Sequence, residues 1–194
     1  MITISEPTIV KQALLEPLIQ ELKVVLKNKF SWLSQSFGRA QKLIRVHENE
    51  LYSFPGIYIG NGKPNDYFEA VPNDRVGNFC FWDIQQPYEA REMVRQEQIK
   101  MTARGGVVFW VDLSTIYTLE TGRALDYVKA EVWRELMFCK TTKGTFRPEV
   151  IHESWTDIYN GYSLTEADGQ FLMHPYGAFR IDGEFQFSTL CRTA

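Results

Sequence analysis

Three histidines (His47, His152, His174) and three cysteines (Cys80, Cys139, Cys191) are the side chains best able to ligate a metal or carry a nucleophile. Their spacing does not build such a site. No histidine pair has the HxxxH spacing of a helical metal site, and there is no CxxC. The thiols lie in apolar surroundings, as in Phe79-Cys80-Phe81 and Phe138-Cys139. A thiol in such a setting stays protonated and inert, so the expectation is reduced structural cysteines, isolated histidines and no metal.

Gly60-Asn61-Gly62-Lys63 resembles the end of a phosphate loop, but Ile57 stands where the first glycine belongs and Pro64 where a magnesium-holding hydroxyl belongs. It is expected to be a turn. Asp66, Glu69 and Asp74 fall in one polar stretch, and Glu166 and Asp168 in another. Neither group has the Asp/Asn alternation and distal glutamate of a calcium loop, so both are expected to be solvated turns. The aromatic residues are not interleaved with lysine and arginine as a single-strand nucleic-acid groove requires. No catalytic, cofactor-binding or metal residue is therefore expected, and the chain is not expected to be an enzyme.

Length and composition narrow the class. The 194 residues, 44% apolar and 14% aromatic, suit one globular domain rich in sheet. A net charge of −3 argues against broad neutralisation of a nucleic-acid backbone. No basic leader followed by an apolar core is evident, and no apolar run approaches ~20 residues, so neither secretion nor a membrane span is expected.

The most regular element is the stretch Ala178 to Leu190. Phe179, Ile181, Gly183, Phe185 and Phe187 share one face of an extended chain, and Arg180, Asp182, Glu184, Gln186 and Ser188 the other. The apolar face demands a helix layer; the polar face is expected to meet water or a neighbouring subunit. Leu14, Leu18, Leu22, Val25 and Leu26 form the stripe of an amphipathic helix within 5–29, kinked at Pro17 or begun there. Leu125, Val128, Val132, Leu136 and Cys139 form a second stripe within 118–139, with Thr118 as a cap and Lys129, Glu131, Arg134 and Glu135 outside it. Strands are expected at 42–47 and 51–60 as a hairpin, at 79–84, at 106–113 in a central position, and at 146–152, with a turn at Gly38 and a short helical turn at 155–162. Long loops are expected at 61–78 and 85–104, the second as an exposed excursion. The fold class is α+β: a single domain over 1–194, a mostly antiparallel sheet with two helices packed on one face.

This order of elements, with Phe54-Pro55-Gly56-Ile57-Tyr58-Ile59 in the hairpin and Gly161-Tyr162-Ser163 and Asp168 before the closing strand, resembles the tail terminators (minor tail protein U type) of long-tailed bacteriophages. Phe37-Gly38-Arg39-Ala40, Gly77-Asn78-Phe79 and Tyr176-Gly177-Ala178-Phe179-Arg180 are also similar to phage and prophage neck proteins. The longer loops leave open a head-to-tail connector of a short-tailed phage, and a small phage-encoded hydrolase is a third, distant alternative. The resemblance implies a virion structural protein made in the bacterial cytoplasm. It implies a homomeric ring, commonly a hexamer, that caps the tail tube at the neck. Its implied partners are copies of itself, the adjacent connector and tube proteins, and genomic DNA passing through the lumen without sequence-specific binding. It implies no cofactor.

Overall fold

In a computed structural model, residues 3–7, 13–47, 50–60, 66–72, 75–84, 87–93, 98–117, 124–163 and 174–190 are described. Helix α1 (Glu16–Lys29) begins at its proline: Pro17 sits in the first turn, where a missing amide hydrogen leaves no bond unmade. Glu16 at its start and Lys27 and Lys29 at its end complement the helix dipole. Leu18, Ile19, Leu22 and Leu26 form its buried face. Leu14, assigned to that stripe by spacing, instead precedes the helix at φ 55° and is exposed.

The larger sheet contains β1 (Gln35–Arg39), β5 (Phe79–Asp83), β7 (Gln98–Asp112), β9 (Tyr176–Leu190) and β8 (Gly144–His152), side by side in that order. Among the described strands only β1 and β5 are parallel; β6 (Glu89–Met93) pairs with the lower half of β7. The axis of the sheet is β7 against β9, antiparallel from Gln98 opposite Leu190 to Asp112 opposite Tyr176. A smaller sheet, β2 (Gln41–His47), β3 (Glu50–Tyr58) and β4 (Tyr67–Glu69), is fully antiparallel. With α2 (Ala124–Phe138) and the one-turn α3 (Trp155–Ile158), the chain is α+β with mostly antiparallel sheets.

Alternation along β5 and β7 sorts the core into two layers. Cys80, Trp82, Val107, Phe109 and Val111 face α1 and α2, together with Phe179, Ile181 and Phe185 of β9. Phe79, Phe81, Val108 and Trp110 face the other way, onto Ile57 of the smaller sheet and onto Ile158 and Tyr159. Each such side chain contributes about 1.5–3 kcal/mol by leaving water. Both helices thus lie on one face of the larger sheet, as their stripes require, and the opposite face is also covered.

Several expectations need correction. The second face of β9 is not uniformly wet: Ala178 and Arg180 are buried beneath α3 and its following turn. The excursion at 85–104 is not a loop, because Glu89–Met93 and Gln98–Arg104 are paired strand. Its polar residues mark a sheet with few apolar neighbours. The stretch 61–78 contains β4, and Gly38 lies inside β1 and not in a turn. Asp66 is buried, not solvated. Lys129 is buried too, its amine held 2.6 Å from Asp126 and 2.7 Å from Glu153. The cap assigned to Thr118 and the turns at Asp74, Glu166 and Asp168 lie outside the described residues.

Candidate functional site

A connected group of polar side chains lies where β5, β9 and β8 meet the turn after α3. Arg180, on the second face of β9, is 1% exposed. An unpaired cation there would be prohibitively costly, so two carboxylates converge on it. Nη1 lies 2.6 Å from Oδ2 of Asp83, the residue that closes the buried run of β5. Nε lies 2.6 Å from Oδ1 of Asp182, two residues along β9 on the same face. The other oxygens are also engaged: Tyr162 donates its hydroxyl to Asp83 Oδ1 at 2.9 Å, and His152 Nε2 lies 3.1 Å from Asp182 Oδ2.

Gly106 makes this convergence possible. A Cβ at that position of β7 would lie 2.1 Å from Oδ1 of Asp182 and 2.6 Å from the Ile181 carbonyl oxygen. Only a residue without a side chain lets β9 lay its carboxylate across β7.

The electrostatics follow from burial. Desolvation pushes the Arg180 pKa down, but the charges and hydrogen bonds of Asp83 and Asp182 more than reverse it and hold the guanidinium above its ordinary value. Burial raises the Tyr162 phenol, and the Asp83 charge and the hydrogen bond to it raise it further. The phenol therefore stays a donor. Asp83 accepts from two groups and Tyr162 keeps its proton, so the chain Tyr162, Asp83, Arg180, Asp182, His152 joins three strands and a turn and presents no activated nucleophile.

A cleft of about 1140 Å³ opens beside it, lined by Arg39, Lys42, Tyr58, Tyr67, Asp83 and Tyr162 among others. Arg39 donates to the Tyr88 hydroxyl at 2.8 Å, and Tyr67 donates to Gln41 at 2.9 Å. The turn below the cleft is strapped to the smaller sheet: Ser163 donates its amide to the Ser53 carbonyl at 2.8 Å, and the Ser53 hydroxyl reaches the Gly161 carbonyl at 3.3 Å.

The residues weighed for chemistry by sequence are dispersed. His152 joins the Arg180 network; His174 is exposed beyond α3, and the His47 side chain lies outside the described residues, as does Cys191. Burial pushes the Cys80 thiol up to about 12, with Ser36 Oγ 3.4 Å away, and burial also raises Cys139. Glu69 pairs with Arg45 on the surface. Among the described residues, no group of three or more His, Cys, Asp or Glu is placed to hold a metal ion. Among the described residues, no helix is long and apolar enough to cross a membrane. No family model, no curated protein and no solved structure matches the chain.

Sequence reasoning missed Arg180, Asp83 and Asp182 as a unit because alternation alone put Arg180 and Asp182 on a face expected to meet water or a neighbouring subunit. The available signal was Asp83: a carboxylate ending the otherwise apolar run Phe79-Cys80-Phe81-Trp82 requires a cation nearby.

Proposed function

We propose that the chain is a virion structural protein of a tailed bacteriophage that assembles into a homomeric ring at the junction of head and tail, as a tail terminator does. The observation that carries this reading is where the apolar surface lies. Ile44, Val46 and Leu51 project from the β2–β3 hairpin at 65%, 67% and 69% exposure, while the best-defined polar cluster is neutralised internally. Large aliphatic side chains left in water on a projecting element fit a subunit completed by a neighbour. The order on which the resemblance rests, helix, hairpin, central strand, helix and closing strand, corresponds to α1, β2–β3, β7, α2 and β9.

In this reading the two-layer core is the rigid body of each subunit, and the hairpin and the exposed parts of β6, β7 and β9 are its contacts with other subunits and with the connector and tube proteins. DNA passes through the lumen without base-specific contacts. Negative-stain electron microscopy of the purified chain, and of virions carrying it with a label, tests the proposal. Closed rings with a central opening, and label at the neck, are expected. A chain that stays monomeric at all concentrations and is missing from purified virions overturns it.

A further inference from the structure

The five edge strands of the two sheets described above differ in how they are guarded: β6, paired only with β7, is five residues long and carries a register shift between Ala90 and Glu92. At β1, the Glu6 carboxylate accepts the outward amide of Gly38 at 2.9 Å and is itself held by Lys23, which closes that edge. At β8, Pro148 and an extra residue, Glu149, between the Pro148–Gly183 and Val150–Asp182 pairs break the ladder. Strand β4 is three residues long. Among the described edge strands only β2 has seven residues with neither proline nor bulge, and its register with β3 is unbroken from Gln41 to His47. Natural proteins avoid such an edge unless something covers it.

The same strand carries the exposed apolar face. Val46 stands opposite Leu51, Ile44 opposite Ser53 and Lys42 opposite Pro55, so Lys42, Ile44, Val46 and Leu51 share one face. Farther along β3 that face is buried at Ser53, Pro55 and Ile57, whereas at Leu51, opposite Val46, it is exposed. Lys42 makes no ion pair among the described residues.

A complementary surface lies at the β8 edge of the larger sheet. The smaller sheet packs over the β1 and β5 end, where Phe37 meets Phe68 at 5.7 Å, whereas β8 forms the opposite end of the larger sheet. There the bulged Glu149 is exposed with no ion-pair partner among the described residues, beside Val150 at 48% exposure. Arg147, two residues away, stands opposite Glu184 in the register.

We infer that the occupant of the hairpin face is a second copy of this chain: Ile44, Val46 and Leu51 dock on the β8 end of the next subunit beside Val150, with Lys42 facing Glu149. The inference rests on the ring reading and names its contact. Donor and acceptor surfaces are different parts of one subunit and Lys42 and Glu149 are opposite in charge, so the contact is head-to-tail, the kind that closes into a ring under repeated rotation.

Light scattering coupled to size exclusion, over a concentration series of the full chain, tests it. The variants are Val46→Asp with Leu51→Asp, Lys42→Glu, Glu149→Lys, and the Lys42→Glu/Glu149→Lys double swap. All alter exposed positions, and unchanged thermal unfolding of the dilute protein shows that each still folds. The hairpin double variant should be monomeric where the wild type is assembled. Each single charge reversal should weaken assembly by roughly three- to tenfold, and the double swap should restore it. If the wild type forms rings and the hairpin variant forms them equally well, or the swap fails to restore assembly, this contact is wrong while the ring stands. A wild type that never self-associates, alone or in virions, removes the ring and this contact together.

Discussion

Arg180 and Asp83 come from strands that are not neighbours, yet Nη1 and Oδ2 meet at 2.6 Å across β7. Buried pairs of this kind are far costlier to break than to replace, because one partner left alone is a charge without solvent.

Arg180→Met should therefore destabilise the fold by about 3–5 kcal/mol, leaving Asp83 and Asp182 facing each other uncompensated. Adding Asp83→Asn should recover part of that loss. Urea denaturation of the four members of the cycle measures it; a loss that simply adds would mean the two residues do not act as a pair.

Gly106→Ala should cost at least about 1–3 kcal/mol, since its methyl group would occupy the space of the Asp182 carboxylate and press on the Ile181 carbonyl. The same melt checks it. A neutral result would place the Asp182 side chain elsewhere.

Raised thiol and phenol pKa values predict alkaline sensitivity. Cys80 in the unfolded chain loses its proton near its ordinary value of 9.0, whereas in the fold it holds it up to about 12. The native state then binds more protons than the unfolded state, so stability is full below pH 9 and falls as pH rises toward 12. Cys80→Ala should flatten that part of the curve. Tyr162, also raised, adds a decline above pH 10 that Tyr162→Phe should remove. Consistent with burial, a thiol reagent should leave Cys80 unmodified until the protein unfolds.

Phe185→Ala and Ile181→Ala should each cost about 2–5 kcal/mol by opening cavities against Trp82, Phe146 and the helices. Thermal unfolding measures both. Unchanged transitions would contradict the placement of that face in the core.

Much of the fold was legible because its signals are local. The period-two run of β9, the stripes of α1 and α2, and the apolar run of β7 each specify an element and a buried face. What escaped depends on neighbours distant in sequence. Residues 98–104 read as a polar loop because strand pairing, supplied by β9 some eighty residues later, leaves no mark in their composition. Lys129 read as solvent-facing because its acidic partner Glu153 belongs to the turn after β8. Arg180 read as facing water or a neighbouring subunit, since the turn that buries it and Asp83, one of the two aspartates that neutralise it, lie on other elements. Periodicity reports which side of a strand is apolar; it does not report that a second layer will cover the other side.

The full-length pairing of β7 with β9 also governs how the molecule comes into being. Until residues 176–190 have left the ribosome, the strand containing Gly106-Val107-Val108-Phe109-Trp110-Val111 lacks the partner that lies along its entire length. A nascent chain stopped short of that point exposes a long aromatic and β-branched edge, the kind that captures other strands. Closing so distant a pair makes folding slow relative to helical proteins of similar size. Production of this protein should then depend on chaperone shielding until β9 has emerged, and truncations that remove β9 should accumulate as aggregates and not as soluble fragments.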